Sequence, residues 1–190
     1  TDYGDNLIIP GFVDTHAHAP QYCNRGLGMD KELLPWLETY TFPEEAKFSD
    51  PDYARLVYGA FVQDLWRTGT TRSILFGTIH KESTLVLMEL LQKAGLSAYV
   101  GKVNMDRNSP DFLIEETNQS LVDTKEWLEK SVPFGPLVKP IITPRFVPSC
   151  TSELMSGLGK LAEEYNVPIQ SHLSENHGEI DWVASLHPES

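Results

Sequence analysis

The chain has 190 residues, 41% of them hydrophobic, which is enough for one globular core. Its 27 acidic residues against 15 basic ones give a formal net charge of −12. That charge repels phosphate backbones and anionic lipid, so nucleic acid and membrane surfaces are not expected partners. Two cysteines, Cys23 and Cys150, cannot build a disulfide framework, and no apolar run approaches the ~20 residues of a spanning helix. The expected setting is therefore soluble, reducing and cytoplasmic. The cytidine type of zinc deaminase needs H-x-E followed by P-C-x-x-C; Pro148-Ser149-Cys150-Thr151-Ser152 does not supply it.

Residues 7–18 are predicted as the first strand, ending in Asp14-Thr15-His16-Ala17-His18. Side chains alternate along a strand, so Asp14, His16 and His18 are expected on one face. Two neutral imidazoles leaving one face at a strand end can grip one metal ion. An irregular segment follows, containing Leu33-Leu34-Pro35-Trp36-Leu37 and Tyr40-Thr41-Phe42-Pro43. Asp50 and Pro51 then read as the N-cap and first position of a helix carrying Tyr53, Val57, Phe61 and Leu65 on one stripe, closed by Gly69.

Residues 70–77 are the second predicted strand, and 81–94 a helix closed by Gly95. Residues 97–105 form the third strand, and Ser109-Pro110 opens a helix reaching about residue 130. The fourth strand is 137–142, followed by a helix over 152–165. Residues 167–173 are the fifth strand, and a further helix begins near His177.

Five β–α steps imply a parallel sheet, either doubly wound and open or closed as a (β/α)8 barrel. No Gly-rich turn follows the first strand, which weakens the dinucleotide-binding version of the open sheet. Polar residues instead gather after successive strands: His16, His18 and Gln21, then His80, Asp106, Arg145, and finally His172 with Glu175. A barrel builds its active site at those carboxyl ends. The expected fold is thus α/β, a TIM-type barrel with its first five β–α units present. Residues 1–190 would be a single barrel domain cut before the sixth strand, since a whole barrel takes about 250 residues. Expressed alone, such a piece is expected to be poorly stable.

His172 with Glu175 three residues later is a weak signal alone, because a glutamate opening a helix explains it equally well. Beside His16-Ala17-His18 it gains meaning: three converging imidazoles with an open position describe a catalytic metal site, and Glu175 could shuttle a proton. Val13-Asp14-Thr15-His16-Ala17-His18 with Gln170-Ser171-His172 resembles the amidohydrolase superfamily of metal-dependent hydrolases. Several further segments resemble its guanine-deaminating branch over essentially the whole chain. They are His16-Ala17-His18-Ala19-Pro20-Gln21-Tyr22, Trp36 to Pro43, Thr78-Ile79-His80, Val100 to Asp106, Ile142-Thr143-Pro144-Arg145-Phe146 and Ile169 to Asn176.

The resemblance implies hydrolytic deamination of guanine to xanthine and ammonia. It makes His16, His18 and His172 ligands of one zinc ion and Glu175 the proton shuttle for the activated water. Gln21 and Arg145 would read the purine edge, a guanidinium fork meeting ring acceptors and an amide both donating and accepting. Phe146 would line the pocket or pack in the core, and Trp36 and Phe42 would serve as lid, subunit contact or core. His80 has no evident mechanical role and reads as structural; His177 and His187 read as solvated. The resemblance also implies a homodimer, a histidine after a sixth strand and an aspartate after an eighth. Neither strand lies in these 190 residues, so the chain as it stands is expected to be inactive. The alternatives are another amidohydrolase, such as a chlorohydrolase or a deaminase of a different heterocycle, and a non-catalytic protein acting by binding or subunit association.

Overall fold

The computed structural model describes residues 1–189. The first strand, β1 (Phe12–His18), begins later than residue 7. Pro10 has no N–H to give a ladder, and Leu7, Ile8 and Ile9 are largely exposed; the first ladder-like bond runs from Phe12 N to Gly69 O at 2.8 Å. The segment read as irregular is instead helical: α1 (Leu33–Trp36), a π-helical turn over Leu37–Thr41, and α2 (Phe42–Ala46). Pro35 and Pro43 hid it from a propensity reading. Pro43, however, follows the π turn and occupies an early position of α2, where a missing N–H is tolerated.

The next elements match the expected ones closely. α3 (Pro51–Thr68) is capped by the Asp50 carboxylate, which accepts from Asp52 N at 2.9 Å, and ends on Gly69 at φ +75°, a left-handed position that glycine occupies without strain. β2 (Thr70–Phe76) and α4 (Lys81–Ala94) follow. The third strand is split into β3 (Ser97–Gly101) and β4 (Val103–Asn104). At the break, a Cβ on Gly101 would come within 1.8 Å of Thr143 Oγ1, and Lys102 is wholly buried, its Nζ 2.6 Å from Glu115 Oε1.

The helix expected from Ser109-Pro110 starts eight residues later, as α5 (Thr117–Ser131). Ser109 Oγ donates to Arg107 O rather than capping a helix, whereas the Glu116 carboxylate accepts from the N–H groups of Asn118 and Gln119. The fourth strand is split likewise into β5 (Val138–Pro140) and β6 (Thr143–Pro144), followed by α6 (Ser152–Tyr165). The fifth strand is reduced to isolated parallel bridges, Ile142 to Ile169 and Phe146 to His172. Four steps of the fourth strand there face three of the fifth, a bulge that interrupts the ladder. α7 (His177–Leu186) closes the described chain, capped by Asn176.

Hydrogen bonding links the staves in chain order. β1, β2, β3 and β5 form one parallel sheet, β4 and β6 continue it, and the two bridges add the fifth stave. A doubly wound sheet reverses strand order at a switch point; this one never does, so it is an arc of a barrel. Helices α3 to α6 pack on its outer face as a consecutive row. Between them lies a core that includes Phe48, Tyr58, Leu75, Met88, Val100, Trp127 and Leu158. The two ends of the arc differ from this core: Phe12 and Val13 on one side, and Ile169 and Leu173 on the other, are half exposed or more. Among the described residues no helix is long and apolar enough to cross a membrane, and both cysteines are free thiols.

Candidate active site

The carboxyl ends of the staves meet in a cavity of about 270 Å³ lined by His16, His18, Gln21, Arg145, Phe146, His172 and Glu175, with Leu33, Trp36 and Leu37 along one wall. β1 carries a bulge just before this point, since Asp14 pairs with Ser73 but Ala17 with Leu75. The bulge changes the expected alternation. Asp14 turns back on its own backbone, Oδ1 accepting from His16 N at 3.0 Å, and does not join the histidines. His16 and His18 still converge, with ring centroids 5.2 Å apart, and His172 joins them from the fifth stave at 4.9 Å from each.

One ligand atom from each of the three imidazoles lies within 4.8 Å of the others. His172 Nδ1 donates to Arg145 O at 2.7 Å, which leaves its Nε2 lone pair facing the cluster. His18 Nε2 sits 2.9 Å from that same Nε2, while His18 Nδ1 is buried with no hydrogen-bond partner. Neither tautomer of His18 satisfies both its nitrogens with protein groups. With Nδ1 protonated, two Nε2 lone pairs confront each other; with Nε2 protonated, Nδ1 is left bare. A cation held between the rings removes the clash of the two Nε2 lone pairs, so the donor set fits a metal ion. Burial holds both rings neutral, the form that binds metal, with the Arg145 charge adding to the effect. His18 is well below the ordinary imidazole range and His172 is pulled down to about 4.

The opposite wall is ionic and closed. Arg145 follows β6 and is 2% exposed; its Nη1 and Nη2 donate to Glu45 Oε2 at 2.7 Å and Oε1 at 3.2 Å. Glu45 comes from α2 and is 1% exposed. Gln21, in the 3₁₀ turn after β1, donates from Nε2 to Glu45 Oε1 at 3.2 Å. The Arg145 guanidinium also lies over the Phe42 ring at 5.2 Å. Phe146 is 5% exposed and also lines the cavity, with Trp182 edge-on at 6.3 Å.

Glu175 reaches the cavity from the turn before α7, and partial burial followed by the nearby Glu179 raises its pKa above the ordinary carboxylate range. Glu179 itself is buried and accepts from Ser174 N at 3.2 Å and Glu175 N at 2.6 Å, fixing that turn. Two other strand-end candidates lie elsewhere. Asp106 accepts from Thr151 N, Thr151 Oγ1 and Thr117 Oγ1, anchoring the starts of α6 and α5. His80 lines a separate cavity with Glu115 and Asp123. His187 is half-buried, with Nε2 3.5 Å from Arg107 Nη2, rather than solvated.

Glu45 and Glu179 escaped the sequence reading. Glu45 sits in an acidic pair inside a proline-interrupted segment and meets its partner 100 residues away, so no local spacing marks it. Glu179 carries a detectable signal: Asn176 followed three residues later by a glutamate is a helix-start pattern, and Asn176 Oδ1 accepts from Glu179 N at 2.8 Å.

A parallel barrel arc with three imidazoles and a raised carboxyl at its carboxyl ends defines a metal-dependent hydrolase type of site. Residues 7–190 match the amidohydrolase family, and the chain belongs to it. It is 54% identical over 188 residues to the guanine deaminase of Dictyostelium discoideum, covering 98% of this chain and 42% of that protein. The Mus musculus guanine deaminase is 47% identical over 185 residues, 96% of this chain and 40% of that protein. The crystal structure of guanine deaminase from C. acetobutylicum with bound guanine superposes with a TM-score of 0.97 at 60% identity, covering 100% of this chain and 45% of that one. The chain therefore spans less than half the length of these relatives.

Proposed function

We propose that the protein is a zinc-dependent guanine deaminase, hydrolysing guanine with water to xanthine and ammonia. The observation that carries this reading is one cavity holding both the three-imidazole cluster and the Arg145–Gln21 wall. Its likeness to guanine deaminases at 47–54% identity, and to one whose structure holds guanine, supplies the substrate. His16, His18 and His172 would hold the metal. When bound, a zinc ion there supplies a Lewis acid that makes water nucleophilic near neutral pH.

The remaining work falls to the chain's own groups. Glu175, with its raised pKa, takes a proton from the attacking water and delivers it to a ring nitrogen beside the carbon that bears the amine. Arg145 offers N–H donors to the acceptors of the purine edge, and Gln21, whose amide nitrogen donates to Glu45, offers its carbonyl oxygen as an acceptor. Phe146 and Trp36 close apolar faces around the base and exclude water. The cavity is at the small end of ligand sites, as a single base requires.

We further propose that residues 1–190 are the first five β–α units of one barrel domain, that the protein is a homodimer, and that it works in the cytoplasm. The two unpaired thiols, Cys23 and Cys150, support the last of these. The test is a substrate panel on the protein at its natural full length. Guanine should give the highest kcat/KM among guanine, adenine, cytosine and triazines; a better turnover of any of the others overturns the assignment.

A further inference from the structure

The Arg145–Glu45–Gln21 triad fixes which hydrogen-bonding groups the pocket can present. The Glu45 carboxylate only accepts, and it takes one N–H from each of Arg145 Nη1, Arg145 Nη2 and Gln21 Nε2. The Gln21 amide nitrogen is thereby turned toward Glu45. Its carbonyl oxygen, the opposite end of a planar amide, is left to the cavity that Gln21 lines. Arg145 is held on two nitrogens by a bidentate pair, and its uncommitted N–H groups are left to the same cavity.

We infer that Glu45 is the positioning residue that sets the polarity of the substrate pocket, holding Arg145 as donor and Gln21 as acceptor toward the base. This rests on the guanine reading above. Guanine offers both partners, ring and carbonyl acceptors for Arg145 and a ring N–H donor for the Gln21 carbonyl. A base lacking that donor leaves the Gln21 carbonyl unpaired, a discrimination that a shape-only pocket lacks. Glu45 does not touch the reacting atoms. It acts through two side chains that contact the base, and nothing local replaces it, because its carboxylate is the shared acceptor of both.

The test compares the full-length wild type with Glu45→Gln and Glu45→Asp, using steady-state kinetics on guanine and calorimetric binding of guanine and adenine. Glu45→Gln removes the charge and lets the Gln21 amide rotate. The expected result is KM for guanine raised about 10–100-fold, the usual range for losing a charged hydrogen bond, with kcat changed less and the preference for guanine over adenine narrowed. Glu45→Asp keeps the buried charge and the fold, and should show the same KM-weighted loss at about threefold to tenfold. It decides the matter if Glu45→Gln does not fold. Variants that keep wild-type KM and base preference, or that lose kcat alone, overturn the inference. A wild type that neither binds nor deaminates guanine overturns the functional reading itself, and the inference with it.

Discussion

The two walls of the cavity are built on opposite principles. The histidine side is made by strand ends: His16 and His18 leave one strand two residues apart, and His172 meets them through a bridge to Phe146. It stays partly open, its His16 is exposed, and its nitrogens are unsatisfied by protein alone. The Arg145–Glu45 side joins a strand end to a π-distorted helix 100 residues earlier, is almost completely buried, and satisfies its charges internally. The histidine wall leaves its nitrogens for a ligand; the other balances its charges internally and leaves only the remaining Arg145 N–H groups and the Gln21 carbonyl to the cavity. On the proposed function the first wall would provide reactivity and the second selection, so damage to each should look different.

The sharpest separation is expected from Glu175→Gln in the full-length protein. It should slow turnover by about 10²–10⁴-fold, the scale of general acid–base catalysis, while metal content by atomic emission stays unchanged. Near-normal turnover would remove Glu175 from proton transfer. On the closed wall, Arg145→Met strands the Glu45 carboxylate in the interior and should cost about 3–5 kcal/mol in denaturant unfolding. A loss no larger than an exposed substitution would mean that the pair is not buried in solution.

Glu179→Gln weakens the acceptor that fixes the Ser174–Glu175 turn. It should lower kcat about tenfold, the effect of losing one charge-assisted bond, with guanine affinity nearly unchanged. An equal fall in affinity would place that turn in substrate binding. The last effect concerns pH. Burial depresses the pKa of both His18 and His172 in the folded state, so between 6.5 and about 4 the unfolded chain holds protons that the folded chain lacks. Stability of the metal-free protein should fall as pH drops through that window. Unfolding midpoints that stay flat from pH 7 to 4.5 would break the account of two buried neutral rings.

The same contrast explains what could be read beforehand. The strand–helix alternation, the ends of α3, α4 and α6, and the pairing of His16 with His18 follow from short-range patterns (apolar periodicity, Asp50-Pro51, Gly69, Gly95 and His-x-His), and His172 joins them because a barrel gathers its strand ends. The late start of α5, the splitting of the third and fourth strands and the loss of a regular fifth strand all depend on distant contacts. Glu115 pairs with Lys102, Gly101 lies against Thr143, and the ladder beside Arg145 bulges. The helix over Leu33–Ala46 was hidden by its prolines, which a π turn accommodates. Arg145 was visible as a strand-end cation, but its partner was not, because a buried ion pair bridging 100 residues has no local signature. Asp14 shows the reverse failure: perfect alternation was the simplest expectation, and a one-residue bulge removed it from the cluster.

The central claim is that three imidazoles hold a metal which turns this pocket into a guanine-hydrolysing site. It is tested most directly by stripping the full-length protein with a chelator, restoring zinc in known amounts, and following xanthine and ammonia release from guanine. The expected result is that activity vanishes on stripping and returns in proportion to zinc, saturating near one ion per chain, while His172→Ala neither retains the ion nor regains activity. Guanine hydrolysis that survives complete metal removal, or a His172→Ala protein that binds zinc and turns over as the wild type does, would contradict it.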